Sequence, residues 1–416
     1  MQLLNSFKLA FRGLMINKAR SLLTLLGIII GIAAVITITA LAEGLRVAAT
    51  KQVDELGTNL IFIFPDMSDN ERRSAQGGPG NFSPENFRER EVNAIEAACR
   101  VPIRMTANAQ GFETVSHGRE SETVNIYGID ENYFDVFNEG IDMGRQFTPG
   151  EITGSRRVAI LGSKTNEDIF GDLDPIGQTI NIRRTRYEVV GVLKERGGSL
   201  GQNPNESVLV PLRVAQQTLF GLGDEVQFIT VQVEHLEDVE SVKEDIASGL
   251  NRVRRIADPA DENYGVISQT DALESFGQFV NILTMVLGGV AAVSLLVGGI
   301  GIMNIMLVNV TERTREIGLR KAVGARQVDI LFQFLIEAIV LCLLGGIFGM
   351  ILGYLGAMGL SSLIKNALPE ASWDPVISVS SVIVAVLFSS AIGLIFGVYP
   401  AASAARKDPI SALRYE

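Results

Sequence analysis

Four long apolar runs separate the charged parts of this sequence. Residues 21–42, 276–310, 338–364 and 375–405 contain no Asp, Glu, Lys or Arg. Each run is longer than the roughly 20 residues that a helix needs to cross a bilayer. We therefore predict four membrane-spanning helices, which lie within residues 21–43, 268–310, 327–364 and 376–402.

The helical pattern continues past the membrane at the outer ends of the first two spans. No helix breaker occurs between Glu43 and Gly57, so residues 44–57 are predicted to extend the first helix. The run 276–310 would form a helix of roughly 50 Å, which is longer than a hydrocarbon core of roughly 30 Å. These extensions, 44–57 and the start of 268–310, predict a stiff stalk.

The region between the two stalk segments, residues 58–267, alternates short apolar strands with Gly and Asp-Pro turns. Its predicted strands are 59–64, 123–126, 157–161, 178–182, 187–192 and 227–233. Its predicted helices cover 84–99, 212–220 and 236–256. The first of them has Ser83 as its N-cap and Pro84 at its first position. The polar stretch 66–81 is predicted to be a disordered loop.

The predicted fold is therefore an α-helical membrane protein with four transmembrane helices and a large α+β domain between the first two. In that domain a β-rich insertion at about residues 110–205 separates two α/β flanks. A short outer loop, 365–375, contains the single tryptophan, Trp373, and a tail follows at 403–416. Residues 1–20 are predicted to be an amphipathic helix on the membrane surface, in contact with lipid.

The distribution of basic residues predicts the orientation of the chain. Lys and Arg cluster before the first span, between the second and third, and after the fourth, whereas the outer loop has only Lys365. Both termini are therefore expected on the cytoplasmic side of the membrane. The region 44–275 carries 23 basic and 38 acidic residues, a net charge of −15, and is expected outside; we call residues 58–267 the exported domain.

The sequence lacks the motifs of the common catalytic sites. No phosphate-binding loop, nucleophile elbow, metalloprotease helix or paired CxxC is present. His117 and His235 have no second ligand at metal spacing, and the topology separates Cys99 from Cys342, which excludes a disulfide between them. We expect no enzyme activity, no metal or cofactor, and no nucleic acid partner for this chain.

The segment 311–326, which we call the elbow, joins the second and third spans and is densely charged. It contains Glu312, Arg313, Arg315, Glu316, Arg320, Lys321 and Arg326. A short helix is predicted from Thr311 or Glu312 to Ala322, ended by Gly324. Two interpretations stay open: an ordinary positive-inside anchor, or a docking surface for a protein, which the mixed charges and interleaved apolar residues favour.

Two further features of the spans have alternative explanations. Gly27 and Gly31 in the first span have a spacing typical of close helix packing, either within one subunit or between two copies, and so does the third-span set Gly345, Gly349 and Gly353. Glu337 is a carboxylate inside the third span and hence a functional candidate. The alternative is that it reaches interfacial water or caps a neighbouring helix.

Several stretches resemble one known family. GGIGIMNIMLVNVTERTREIGLRKAVGA, at 298–325, is similar to the junction of the second and third spans in the MacB family of ATP-binding-cassette (ABC) export permeases, a group that includes the FtsX-type and lipoprotein-releasing permeases. SLLTLLGIIIGIAAVI at 21–36, YGIDENYFDVFNEGIDMGRQFT at 127–148 and YPAASAARKDPISALRYE at 399–416 also resemble that family, so the resemblance covers essentially the whole chain.

The resemblance implies a homodimeric permease of the bacterial inner membrane that acts by mechanotransmission, in which ATP hydrolysis in the cytoplasm moves the exported domain. Because this chain begins almost directly at its first span, the ATPase dimer, with its ATP and Mg²⁺, would be a separate polypeptide. The elbow would be the coupling helix, with contacts to the ATPase from Glu312, Arg313, Arg315, Glu316, Arg320, Lys321, Ala322, Gly324 and Ala325. In a Gram-negative cell a periplasmic adaptor and an outer-membrane channel would be further partners.

Three functions share this layout and stay open at this point. The first is export of drugs, peptides or lipid-like cargo, which the size of the exported domain and the C-terminal motif favour. The second is an FtsX-like regulator of a cell-wall hydrolase, or a sensor. The third is a lipoprotein-releasing permease. The sequence does not identify the cargo.

Overall fold

The computed structural model describes residues 18–55, 57–66, 85–196, 204–367 and 374–413. The chain divides into a membrane unit, Met1–Ala48 with Gly277–Glu416, and a second unit, Ala49–Phe276. The predictions for residues 1–17, for most of the loop 66–81, for Ser83 and Pro84 and for Trp373 lie outside the described residues.

The described helices, in chain order, are α1 (Lys18–Glu55), α2 (Glu89–Ala98), α3 (Tyr133–Val136), α4 (Pro149–Thr153), α5 (Ser163–Phe170), α6 (Leu212–Val214), α7 (Val239–Arg254), α8 (Gln269–Glu312), α9 (Thr314–Ala322), α10 (Gln327–Ala367), α11 (Val379–Ala405) and α12 (Pro409–Leu413). The strands are β1 (Leu60–Pro65), β2 (Ile103–His117), β3 (Glu120–Ile129), β4 (Ile141–Gly144), β5 (Val158–Leu161), β6 (Thr179–Ile182), β7 (Thr185–Leu193), β8 (Ser207–Pro211), β9 (Phe228–Val233) and β10 (Tyr264–Ser268).

Four helices of the described chain are long and apolar enough to cross a membrane, which confirms the four predicted spans. They are α1, α8, α10 and α11, with 38, 44, 41 and 27 residues respectively. Their shared core contains Ile32, Met306, Phe334 and Ala385, one from each helix. The burial of these side chains stabilises the bundle mainly through close packing, because lipid is as apolar as the helix surfaces.

The second unit contains a ten-stranded sheet with the order β10-β1-β9-β2-β3-β8-β5-β7-β4, and β6 pairs with β2 and β7. The long strand β2 holds the sheet together, because its first half pairs with β9 and its second half with β3. Helices α2 and α7 pack against the β9 side, around Ile61, Val231 and Ile246. The other half has its own core, around Ile126 and Tyr187.

This architecture confirms the predicted class of four membrane helices with a large α+β domain. The start of one helix was predicted wrongly: residues 85–88 of the predicted helix 84–99 are not helical, and α2 begins at Glu89. The reason is tertiary, because Phe87 forms an antiparallel bridge with Val226 and its ring is fully buried. The carboxylate of Glu91 accepts a hydrogen bond from the backbone N–H of Arg88 and so fixes the new start.

Candidate functional site

Helix α8 runs through the predicted start of the elbow helix and ends at Glu312. The prediction that the elbow helix begins at Thr311 or Glu312 was therefore wrong, since the break falls at Arg313 (φ −98°, ψ 16°) and α9 begins at Thr314. Gly324 follows α9 with φ +105°, a conformation that side-chain-bearing residues rarely adopt, and it ends the helix. The side chain of Asp329 then accepts from the backbone N–H of Arg326 and starts α10.

The inner face of α9 packs against the C-terminal helix α12. Ile317 is fully buried. Gly318 is so close to α12 that a Cβ atom placed on it would lie 2.8 Å from Cβ of Ala412. The elbow helix therefore packs in a small cluster with α12.

Lys321 ties α9 to the end of the fourth span. Its Nζ donates hydrogen bonds to the carbonyl oxygens of Ala405, at 2.5 Å, and Lys407, at 2.7 Å. These carbonyls lie at the C-terminal end of α11, where helix carbonyls lack intrahelical partners and the helix dipole favours a cation. Lys321 thus acts as a cap for α11.

Arg313 and Arg320 tie the elbow to the third span. Both carboxylate oxygens of Glu337 lie 3.4 Å from Nη1 of Arg313, and the Glu337 side chain is only 3% exposed. Arg320 donates to the side-chain oxygen of Gln333 at 2.9 Å, one turn before Glu337 on α10. Glu337 therefore has an ion-pair partner inside the chain, which the sequence did not indicate.

The outer face of the elbow is exposed and mixed in character. Leu319 and Val323 are 58% and 84% exposed and are four residues apart, so they lie on one face of the helix. The other exposed elbow residues are Thr311, Glu312, Arg315, Glu316, Ala322, Gly324 and Arg326, with Ala325 half-buried. An apolar pair surrounded by charges is typical of a protein docking surface.

The structure thus divides the predicted coupling residues into two groups. Arg313, Arg320 and Lys321, for which the resemblance implies contacts to the ATPase, also bond within the chain. Glu316 remains on the exposed face, 3.9 Å from Arg320. Gln333, which holds Arg320, was missed because a single glutamine in an apolar run carries no distinctive pattern.

The glycine sets lie at contacts between helices of one chain. A Cβ atom on Gly27 would lie 2.9 Å from Cα of Gly298 on α8, and one on Gly31 would overlap Leu295. Gly345, Gly349 and Gly353 face α1 on another side, where a Cβ atom on Gly353 would lie 2.7 Å from the carbonyl oxygen of Ala33. Within the described ranges no group of three or more His, Cys, Asp or Glu is placed to hold a metal ion.

Two family models match this chain. The model described as the MacB-like periplasmic core domain matches residues 21–248, and the FtsX-like permease C-terminal model matches residues 288–409. The second match includes the elbow with its contacts to α10 and to the end of α11. The chain belongs to the MacB and FtsX group of ABC transporter permeases, a class of membrane proteins with an extracytoplasmic domain.

Two relatives and one solved structure are also similar to this chain. The uncharacterized ABC transporter permease YknZ of Bacillus subtilis is 36% identical over 416 residues, which is 100% of both chains. The macrolide export ATP-binding/permease protein MacB of Bdellovibrio bacteriovorus is 36% identical over 98% of this chain, which spans 61% of the length of that relative. The extracellular domain of YknZ from Gram-positive bacteria matches 50% of this chain with 26% identity and a TM-score of 0.41.

Proposed function

We propose that this chain is the permease subunit of an ABC exporter that works by mechanotransmission. A separate ATPase dimer binds the elbow, and its ATP-driven closure moves α1 and α8 and with them the exported domain. Cargo would be expelled on the outer side, without a polar path through the bilayer. The scarcity of charged side chains in the apolar runs supports this, because a polar channel needs water-lining residues.

The observation that carries the proposal is the two-sided character of α9. Its inner side is held by Lys321, Arg313 and Gly318 against the third span and the C-terminal segment. Its outer side presents Leu319 and Val323 between charged residues. A surface that must transmit force needs both a firm attachment and an accessible face, and α9 has both.

The proposed orientation puts both termini and the elbow in the cytoplasm. The excess of Lys and Arg around these segments supports it, as does the acidic exported domain. In this orientation the ATPase, with its ATP and Mg²⁺, meets Leu319 and Val323 directly. The permease itself would contribute no catalytic group to hydrolysis.

The proposed assembly contains two permease chains and two ATPase chains. The relative named as a macrolide exporter contains ATP-binding and permease parts in one protein, and this chain matches 61% of its length. That similarity supports an ABC ATPase as the partner and macrolide-like drugs as first cargo candidates, beside peptides and lipid-like molecules. In a Gram-negative cell an adaptor and an outer-membrane channel would complete the path.

Export is preferred to the FtsX-like regulator and the lipoprotein-releasing permease for one reason. The FtsX-like match covers the C-terminal half, which all three share, whereas the MacB-like periplasmic core covers residues 21–248. The similarity of the outer half of the chain to the MacB-like periplasmic core supports export.

The proposal is tested by placing a charge on the exposed apolar pair. In the variants Leu319→Asp and Val323→Asp, the ATPase should no longer copurify with the permease from detergent or nanodiscs, and stimulated ATP hydrolysis should fall to the level of the ATPase alone. The matched control is Leu236→Asp, which alters a leucine of similar exposure, 65%, in the exported domain. Undiminished copurification of both elbow variants would refute the docking role.

A further inference from the structure

The two stalk helices meet the sheet of the exported domain at one place. Helix α1 ends at Glu55 and β1 begins at Leu60, while α8 begins at Gln269, directly after β10. Strands β1 and β10 pair in antiparallel register, with Ile61 opposite Ser268, at one edge of the sheet. Both helices are therefore connected to the same pair of neighbouring strands.

A single side chain, that of Gln269, bonds to three backbone groups at this place. Its Nε2 donates to the carbonyl oxygens of Val53, at 2.7 Å, and Gly57, at 2.9 Å, and its Oε1 accepts from the backbone N–H of Leu60 at 3.3 Å. Val53 lies in the last turn of α1, whose carbonyls have no partner within the helix. Gln269 thus satisfies the end of α1 from the first turn of α8.

Gly57 lies in the turn that Gln269 spans, at a position that favours glycine. Gly57 has φ +122°, and a Cβ atom there would lie 2.9 Å from the carbonyl oxygen of Val136. The chain can therefore pass from α1 to β1 in this way only with glycine at this position. The amide of Gln269 bonds to the end of α1 on one side of this turn and to the start of β1 on the other.

The first turn of α8 is also attached to α7. The carboxylate of Asp271 accepts from the backbone N–H of Ser268 at 2.9 Å and lies 2.8 Å from Nζ of Lys243 on α7. The hydroxyl of Ser268 accepts in return from the backbone N–H of Asp271 at 3.1 Å. The start of α8 is thus connected to the helix layer of the domain as well as to the end of α1.

We propose that Gln269 is a positioning residue that makes the end of α1, the start of β1 and the first turn of α8 a single joint, which we call the stalk joint. The stalk joint transmits movement of α1 and α8 to the β1–β10 edge of the sheet. The inference rests on the proposed mechanotransmission, and it identifies where the movement enters the exported domain.

The test uses hydrogen exchange of the full chain in nanodiscs with its cognate ATPase, compared without nucleotide and with ATP and vanadate. The variant Gln269→Met keeps the size of the side chain but removes all three hydrogen bonds. We expect wild-type exchange to change with nucleotide in α9 and in β1 and β10. In Gln269→Met the change in α9 should remain and that in β1 and β10 should disappear.

Two controls separate coupling from folding. Thr270→Met alters the exposed neighbouring residue and should respond like the wild type. Exchange of β2 and β3 without nucleotide should be equal in all three proteins, which shows that the sheet is intact.

The outcomes distinguish this inference from the proposed function. No nucleotide response in α9 of the wild type would refute the mechanotransmission on which the inference rests. A wild-type response in α9 without one in β1 and β10, or an undiminished β1–β10 response in Gln269→Met, would overturn the stalk joint alone.

Discussion

The carboxylate of Glu337 lies 3.4 Å from the guanidinium of Arg313, so a charge buried in the third span is paired with the residue at which the second span ends. This contact links the two sides of the elbow. A buried charge is tolerated only where it is paired, and loss of one partner leaves the other in an apolar environment.

Removal of Arg313 should therefore destabilise the protein strongly. We expect Arg313→Met to cost about 3–5 kcal/mol of unfolding free energy, the range for breaking a buried ion pair. The reversed pair, Arg313→Glu with Glu337→Arg, should recover part of it because opposite charges again face each other. Thermal unfolding in nanodiscs measures both effects. Arg315→Met, which alters an exposed arginine, is the control, and an equal melting temperature for Arg313→Met and Arg315→Met would contradict the prediction.

The contact between Gly27 and Gly298 predicts that α8 tolerates no side chain at position 298. A Cβ atom there would lie 2.9 Å from the backbone carbon of Gly27, so Gly298→Ala should cost about 1–3 kcal/mol through overpacking. The control is Gly289→Ala on the same helix, where no atom lies within 4 Å. It should leave the thermal unfolding midpoint unchanged or raise it, because alanine favours helix more than glycine. Equal midpoints for the two variants would contradict the packing.

Two carboxylates of the exported domain predict opposite pH dependences. Burial raises the pKa of Glu139 from 4.5 to about 7, against the opposing effect of Arg196 at 2.9 Å. Hydrogen bonds from Arg145, followed by those from Thr148, lower the pKa of Glu151 from 4.5 to about 2. Because the folded state holds the Glu139 proton more tightly, this group stabilises the domain below pH 4.5 and its contribution is lost as the pH rises towards 7. Glu151 stabilises above pH 4.5, and its contribution is lost as the pH falls towards 2.

The substitutions Glu139→Gln and Glu151→Gln should therefore reduce the pH dependence of stability in different ranges, the first between pH 4.5 and 7 and the second between pH 2 and 4.5. At about 1.4 kcal/mol per pKa unit, each carboxylate contributes on the order of 3 kcal/mol to the free energy of unfolding. The measurement is the midpoint of thermal unfolding of the full chain between acid and neutral pH, followed by the loss of β-sheet circular dichroism. If the unfolding midpoint of Glu139→Gln still falls as the pH rises towards 7, that pH dependence belongs to another group.

Much of the architecture follows from the sequence, because it depends on local patterns. A charge-free run longer than a bilayer is thick predicts a spanning helix, and the runs 21–42 around Ile32 and 338–364 around Gly349 are both of this kind. The strands of the exported domain follow from alternating apolar residues, as in β7 with its buried Tyr187 and Val189. The charged elbow between two spans was likewise visible as a pattern.

The pairing of residues far apart in the chain was decided by the tertiary structure alone. The sequence indicated close helix packing at Gly27 and a carboxylate inside the third span at Glu337, but their partners Gly298 and Arg313 could not be chosen from it. The resemblance implied that Lys321 contacts an ATPase, whereas its hydrogen bond to the end of α11 depends on how the helices pack. Periodicity specifies which face of an element is apolar or charged, whereas the partner of that face depends on how the helices pack.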